Sequence, residues 1–365
     1  MKKIAVVILN WNGAKLLEQF LPSVVAFSEE ATIYVADNAS TDNSIDVIQT
    51  QFPSVKIIQN SGNSGFAKGY NEALQLVEEP YYALVNSDIE VTENWLVPMI
   101  KMFENEPETA IIQPKILDFK KKTHFEYAGA AGGFIDKLGY PFCRGRIFET
   151  IEADKNQYDD EIPIFWASGA CFFIRKEVYR NLNGFDPDFF AHQEEIDLCW
   201  RAFNLGYQTK FTYKSTVYHV GGATLQQSNP KKTFLNFRNS LLMLVKNLPK
   251  NQLFPILFMR LCLDGLAGIQ FLIKGRISHF FAILKAHFSF YRIGPWRFVK
   301  SVFFTRQSSC KLSSKGRYFL RLSTGTQQPQ LRRLLANCSN CFRLPLFIHR
   351  HITAHLHGSV AAIHL

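Results

Sequence analysis

The chain has 365 residues, 47% of them hydrophobic, which is room for one large domain or two smaller ones with a sizeable core. Its net charge of +10 is unevenly divided: residues 1–264 hold 26 basic residues and all 31 acids, whereas residues 265–365 hold 15 basic residues and no acid. The seven Cys are scattered, with Cys171 and Cys199 in expected core, which excludes a disulfide framework and fits reduced thiols in a cytoplasmic protein.

The opening Met1-Lys2-Lys3 and the apolar run after it superficially resemble a signal peptide. The run is short and meets Asn10-Trp11-Asn12 without a small-residue cleavage site, so Lys3 to Leu9 reads as a first β-strand. Ala14 to Phe27 carries Leu16, Leu17, Phe20, Leu21, Val24 and Val25 at helical spacing. Thr32 to Ala36 is a second strand, followed by the polar loop Asp37 to Asp42 and a helix that stops before Pro53. Val55 to Ile58 is a third strand. Gly62 to Asn71 is then expected as a glycine-rich loop before a helix ending near Val77. Tyr81 to Val85 is a fourth strand, running into Asn86-Ser87-Asp88.

This β-α-β-α-β-α-β order predicts a mostly parallel sheet with helices on both faces. The crossover rule brings the loops at Asn10–Asn12, Asp37–Asp42 and Asn86–Asp88 to one sheet edge, the ligand-binding edge of such folds. Asp88 there is an oxygen ligand suited to Mg²⁺ or Mn²⁺. The glycine stretch matches neither Gly-x-Gly-x-x-Gly nor the Walker A pattern, which argues against a dinucleotide oxidoreductase and a P-loop NTPase.

Further on, Trp95 to Phe103 is a helix, and Ala110 to Leu117 a strand ending near Pro114. Residues 124–165 are insertions and short strands. Phe165 to Arg175 is an apolar strand entered through Ser168-Gly169, and Val178 to Leu182 a short helix. Glu194-Glu195-Ile196-Asp197 opens a helix whose first turn suits acids through the helix dipole. Asp197 and Arg201 read as structural there, while Glu194 or Glu195 faces the crevice. Thr216 to Gly222 is a strand carrying His219 beside two glycines.

These stretches, in this order over about residues 3–225, resemble a family 2 glycosyltransferase with the GT-A fold. They are closest in kind to the rhamnosyltransferase-like enzymes of bacterial surface polysaccharides. The stretches are Val7 to Asn12, Val35 to Asp42, Asn63 to Asn71, Leu84 to Asp88, Ser168 through Asp186, Glu194 to Arg201, and His219 to Gly222. The resemblance implies a Rossmann-like mixed sheet with flanking helices. It implies that Asp37 holds the donor's base or ribose, and that Asn10, Asn12, Asn63, Gly65 and Asn86 line the nucleotide pocket. Asp88 ends the family's Asp-x-Asp motif, with Asn86 in place of the first Asp, and binds a divalent metal together with His219. The base lies in Glu194-Glu195, where Glu195 replaces the family's Asp, and it is one or the other. Trp166 and Gly169 belong to the acceptor side. No separate second carboxylate is evident, so the reaction implied is inverting. A nucleotidyltransferase and a non-catalytic nucleotide-sugar binder are the alternatives. The second would require both glutamates to point away from the crevice.

The resemblance stops before the C-terminal third. Phe234 to Leu248 is a helix, and Leu253 to Ile273 is strongly apolar but holds Arg260 and Asp264 in its middle. Charges at that depth disfavour a membrane span and favour a helix lying on a membrane or packed on the catalytic domain. Ile277 to Phe304 interleaves aromatic and basic residues, the composition of interfacial helices on anionic lipid. No nucleic-acid fold signature is present. The expected organisation is a catalytic domain over residues 1–225, a membrane-associating helical region over 226–306, and a disordered or non-native tail over 307–365. In that tail, Cys338, Cys341 and the His residues after them fit no zinc spacing. The whole predicts an enzyme peripheral at the inner face of the plasma membrane, acting on a nucleotide-diphosphate sugar and a lipid-linked or glycan acceptor.

Overall fold

A computed structural model describes residues 2–147, 150–221 and 229–308. The chain divides into two units: one of Met1–Gly133 and Cys143–Gln227, the other of Phe134–Phe142 and Ser228–Leu365.

The first unit begins with β1 (Ile4–Asn10), α1 (Ala14–Ala26), β2 (Ala31–Asp37), α2 (Ser44–Gln51), β3 (Lys56–Gln59), α3 (Gly65–Ala73) and β4 (Tyr81–Asn86). It continues through β5 (Ile89–Val91), α4 (Val97–Asn105) and β6 (Thr109–Asp118). Short strands follow: β7 (Gly133–Ile135) and β8 (Pro141–Cys143), which fall largely in the second unit, then β9 (Arg146–Ile147), β10 (Thr150–Ile151) and β11 (Glu161–Ile164). β12 (Cys171–Arg175), α5 (Lys176–Asn181), a 3₁₀ turn (Pro187–Phe189), α6 (Glu194–Asn204) and β13 (Gln208–His219) complete it. One nine-stranded sheet runs β11-β13-β6-β12-β4-β1-β2-β3, with β5 pairing β13. β1 through β4 are parallel, and β12 is antiparallel to both its neighbours. This is the mixed α/β sheet the residue pattern implied.

β1 reads as an unbroken apolar run because both its faces are covered. Ile4, Val6 and Ile8 pack with Leu17, Leu21 and Val24 of α1 and with Met99 and Phe103 of α4. On the opposite side, the fully buried Tyr70 of α3 donates its hydroxyl to the Val85 carbonyl at 3.1 Å.

Four elements depart from the sequence reading. The expected glycine loop is largely helical from Gly65, and Gly69 is inside α3 because a Cβ there would lie 2.7 Å from the Asn38 amide. β6 does not stop at Pro114. Its partner β13 shifts register between Thr212, opposite Pro114, and Thr216, opposite Lys115. A proline has no N–H to give the ladder, and a bulge in the neighbouring strand absorbs the gap. β13 accordingly begins at Gln208, well before the expected Thr216. The strand expected from Phe165 begins only at Cys171, since Trp166 instead bridges to Gly133.

α6 is tied down by an ion pair. Arg201 Nε donates to Asp197 at 2.7 Å, and its two terminal nitrogens donate to the carbonyls of Leu182 and Gly184. Asn71 closes the same corner, with Phe185 N donating to its Oδ1 and its Nδ2 donating to the Phe185 carbonyl. These contacts fix where α6 starts.

The second unit holds α7 (Pro230–Asn247), α8 (Lys250–Ile273) and α9 (Ile277–Ser308), together with the tip of the β7–β8 hairpin. α9 therefore runs past residue 306, where the tail was expected to begin. The Cys338–Cys341 stretch and residues 309–365 lie outside the described residues.

Arg201→Ala would leave the Asp197 carboxylate buried without its partner. We expect a loss of about 3–5 kcal/mol, seen as a lowered urea midpoint; an unchanged midpoint would show that the pair does not hold the corner.

Candidate active site

Adjacent parallel strands end here at one level. Asn10 lies opposite Asp37 across β1 and β2, and Leu9 lies opposite Asn86 across β1 and β4. Their loops leave the sheet together at its carboxyl edge, where open α/β sheets take ligands.

On one side the loops lock each other. Asp37 is buried; its Oδ1 accepts from Asn10 Nδ2 at 2.9 Å and from Ser40 Oγ at 2.5 Å, and its Oδ2 accepts from Ser40 N at 2.8 Å. Ser40 Oγ in turn accepts from the Asn12 amide, and Asn12 Oδ1 accepts from Thr41 N at 2.7 Å. Asn12 and Ala39 both have positive φ, 51° and 56°, in these loops. Asp42 accepts from Ala14 N and from Ser44 N, serving the first turns of α1 and α2 together. The exposed Trp11 stands between Asn10 and Asn12.

Next to them, Asn38 donates to the Gly65 carbonyl and accepts from Asn60 Nδ2 at 2.7 Å. Asn63 Oδ1 accepts from Gly65 N at 3.2 Å. Gly65 has φ +85°, and a Cβ on it would lie 2.7 Å from the Phe190 carbonyl oxygen. That oxygen accepts from the amide of Phe66 at 2.9 Å. The start of α3 thus docks onto the segment leading into α6.

That segment is strained: Phe190, His192 and Gln193 all have φ between 62° and 69°. It delivers Glu194 and Glu195 at the first turn of α6. Glu194 is buried, and its Oε2 has no hydrogen-bond partner among the described residues; the same holds for Glu195 Oε2. Burial pushes the Glu195 carboxyl up to about 7 against the pull of the α6 amides. Burial, reinforced by the charge of Glu195, raises Glu194 well above the usual range. The Glu195 carboxyl lies against Gly169, where a Cβ would be 3.6 Å from its Cδ and from the Phe66 ring. Gln113 holds this wall, donating to the Gly129 carbonyl and accepting from Ser168 N. Ala170 O accepts from Asn86 N at 2.9 Å, which joins the wall to the end of β4.

Asp88 and His219 meet because β5 turns back onto β13, with Ile89 opposite His219. His219 Nε2 lies 3.2 Å from Asp88 Oδ1, and Nδ1 lies 3.4 Å from Glu126 Oε1. Burial disfavours the imidazolium, but the two carboxylates outweigh it, and the His219 pKa rises to about 10. A Cβ on Gly13 would lie 2.4 Å from Asn10 Oδ1 and 3.8 Å from Ser87 Oγ, so the Asp88 side adjoins the Asp37 side.

The donor set fits a divalent ion. Asp88 offers a carboxylate and His219 an imidazole whose other nitrogen faces the Glu126 carboxylate, which orients the ring as in many ligating histidines. Among the described residues no three such side chains converge on one point. A Mg²⁺- or Mn²⁺-type site with one or two protein ligands is completed by substrate phosphate oxygens and water.

The structure therefore groups Asn10, Asn12, Asp37, Asn63, Gly65, Asn86, Asp88, Gly169, Glu194, Glu195 and His219 on one edge. Trp166 is the exception. It is 1% exposed, and its ring fills the space where a Gly133 side chain would be, so it offers no open face to an acceptor. Ser40, Asn38, Asn60, Glu126 and Phe190 escaped the sequence reading. The three asparagine and serine positions sit in polar loops whose composition signalled a site. Glu126 lies in an irregular stretch with no periodic signal.

A mixed sheet with a carboxylate, a histidine and an acidic helix start at its carboxyl edge defines a GT-A nucleotide-sugar transferase fold. Residues 5–182 match the Glycosyl transferase family 2 profile, so the chain carries a domain of that family. It is 24% identical over 235 residues to N-acetylglucosaminyl-diphospho-decaprenol L-rhamnosyltransferase of Mycobacterium tuberculosis, covering 59% of this chain and 75% of the relative. It is 25% identical over 205 residues to rhamnosyltransferase WbbL of Escherichia coli, covering 54% and 76%. In fold it is similar to GalNAc-T7 with UDP, GalNAc and Mn²⁺ (TM-score 0.52, 17% identity, 67% of this chain and 47% of that one). It is also similar to mannosyltransferase PcManGT of Pyrobaculum calidifontis with GDP-Man and Mn²⁺ (TM-score 0.50, 12% identity, 99% and 86%). The chain spans under half the length of GalNAc-T7.

Gly65→Ala forces a Cβ into the Phe190 carbonyl at a left-handed φ. We expect about 1–3 kcal/mol of strain and cleavage of the 187–193 segment by a probe protease to rise about tenfold or more. Gly62→Ala, with open space around it, should leave the cleavage rate unchanged.

Proposed function

We propose that this glycosyltransferase moves a sugar, with inversion, from a nucleoside diphosphate to a lipid-linked or polysaccharide acceptor in bacterial cell-surface glycan assembly. It would work at the inner face of the plasma membrane. The observation that carries the reading is the shared edge: Asn10 opposite Asp37, Asn86 one position back opposite Leu9, with Asp88–His219 on one side and an unpartnered Glu195 oxygen on the other. The rhamnosyltransferase relatives, one acting by its name on a diphospho-decaprenol, support a lipid-linked acceptor.

Each residue has a role in this reading. Asp37 Oδ2 accepts from Ser40 N and retains a lone pair for the donor's base or ribose. Asn10, Asn12, Asn63, Gly65 and Asn86 shape the pocket around it. Asp88 and His219 would hold a divalent ion, which when bound neutralises charge on the departing diphosphate. Glu126 keeps the His219 ring turned so that Nε2 faces Asp88. Gly169, having no side chain, leaves room beside Glu195 for the acceptor hydroxyl.

Glu195 takes the proton from that hydroxyl. A base works best with a pKa near the operating pH, and about 7 meets that condition. Burial and the neighbouring charge of Glu195 raise Glu194 well above the usual carboxylate range, which disfavours its ionised form and favours Glu195 as the base. A retaining route would need a second carboxylate ionised and free to attack the anomeric carbon, and the same burial disfavours that role for Glu194.

Glu195→Gln should lower kcat by about 10²–10⁴ while donor affinity, followed by isothermal titration, stays within twofold. Unchanged turnover would move the base to Glu194. In the parent enzyme only ionised Glu195 accepts the proton, so log kcat/KM should rise with unit slope below about pH 7 and level off above it. A flat profile through pH 6 would count against Glu195.

Asp88→Ala should abolish Mn²⁺-dependent transfer and weaken Mn²⁺ binding measured by electron paramagnetic resonance. Full activity in excess chelator would overturn the metal role and leave the His219 cation as the group facing the diphosphate.

A further inference from the structure

The second unit has a small apolar core around Phe237, Phe271 and Ile283, yet it also buries charge and exposes apolar surface. In α8 the two charged mid-helix residues are buried: Arg260 is 2% exposed and Asp264 is 1% exposed. Arg260 donates to the carbonyls of Leu138 and Gly139 at 3.1 Å and to Ser240 Oγ, and it lies 3.7 Å over the Tyr140 ring. Asp264 Oδ2 meets His287 Nε2 of α9 at 3.2 Å. The outward face is apolar. Phe254, Phe258, Ile269 and Ile273 share one stripe of α8, and Phe281 and Phe288 belong to a stripe on α9. Among the described residues, twelve of the fifteen exposed large hydrophobic side chains lie on these two helices or at the turn between them. A soluble monomer does not leave so large an apolar surface in water without a use for it.

Charge selects the occupant. Asp264 is the sole acid between residues 250 and 308, and it is inside. Lys250, Lys274, Arg276, Lys285 and Arg292 are all exposed on the same two helices. A second copy of the chain would bring two such basic rims together. An anionic bilayer satisfies the apolar stripe and the rim at once.

We propose that the α8–α9 hairpin is a membrane-docking surface that lies in the plane of an anionic bilayer, within one leaflet, and does not cross it. α8 is long and apolar enough to cross, with 24 residues. A crossing would take Arg260 and Asp264 away from Ser240, the 138–139 carbonyls and His287, and leave both charges in hydrocarbon. In the plane they keep those partners while the apolar stripe enters the acyl boundary. The docking rests on this unit alone, so it stands or falls separately from the transfer reaction.

The test is flotation of the full chain with vesicles of phosphatidylcholine, with or without phosphatidylglycerol. The parent protein should bind the anionic vesicles, at least tenfold more tightly than the neutral ones. Phe258→Glu with Phe281→Glu should cut that binding about a hundredfold while donor-sugar hydrolysis is unchanged, since both side chains are exposed and outside the candidate active site. Lys274→Glu with Arg276→Glu should cut binding to anionic vesicles about tenfold and leave neutral vesicles unaffected. No binding by the parent, or equal binding to both vesicles, would overturn the proposal. So would a dimer that the Phe variant converts to monomer without any vesicle binding. For orientation, Asn251→Cys in the first turn of α8 and Ser278→Cys just beyond its other end, at the start of α9, should both react with an impermeant maleimide in sealed inside-out membrane vesicles. Labelling of one and not the other would show that the helix crosses.

Discussion

The register of β1 against its two neighbours is the constraint from which the site follows. Asn10, Asp37 and Asn86 end three separate strands, and parallel pairing with no slip puts Asn10 beside Asp37 and Asn86 beside Leu9, within one residue of a common level. A slip of one residue in any of these strands would turn its end residue to the other face. The apolar packing on both sides of β1 prevents that slip, because every residue from Ile4 to Ile8 is committed to the core. Core burial and site geometry are therefore one and the same requirement in this part of the chain.

The opposite wall is less comfortable, and its discomfort is chemically useful. Two adjacent glutamates with unpartnered oxygens, approached through three left-handed non-glycine residues, cost folding energy. The surroundings hold that arrangement in place. Gly65 lets the start of α3 reach the Phe190 carbonyl, and the Arg201–Asp197 pair pins α6 from below. The result is a carboxyl whose proton affinity sits near neutrality, and the helix dipole alone would not produce that. Acids in a first helical turn are ordinarily stabilised as anions, but here burial wins.

The first four strands and their helices were legible because each is an apolar run of the right length with a polar loop at its end. The elements that escaped did so for physical reasons. β6 looked broken at Pro114, and nothing in its own residues reveals that the compensating bulge lies a hundred residues away in β13. The residues of α3 looked like loop because glycine is a poor helix former, whereas tertiary contact with Asn38 demands glycine there. Trp166 had the type of a sugar-binding residue but the surroundings of a core one. Glu126 had no pattern at all; its place beside His219 comes only from long-range folding. Side-chain chemistry was readable where a strand end delivers it, and unreadable where an irregular segment does.

The two units also solve the same problem in opposite ways. In the first, apolar residues go inward, and a buried carboxylate such as Asp37 is held by hydrogen bonds from Asn10 and Ser40. In the second, the buried positions of α8 include Arg260 and Asp264 beside Leu263 and Phe271, while Phe254 and Phe258 face out. A helix chosen only to be apolar would carry no such charges. A helix chosen only to pack in water would not expose Phe254 and Ile273. Both features make sense together when one side of the helix meets protein and the other meets lipid. The charges then fix which side is which, because turning α8 about its axis would expose two ions to hydrocarbon at the moment it buried its own aromatic stripe.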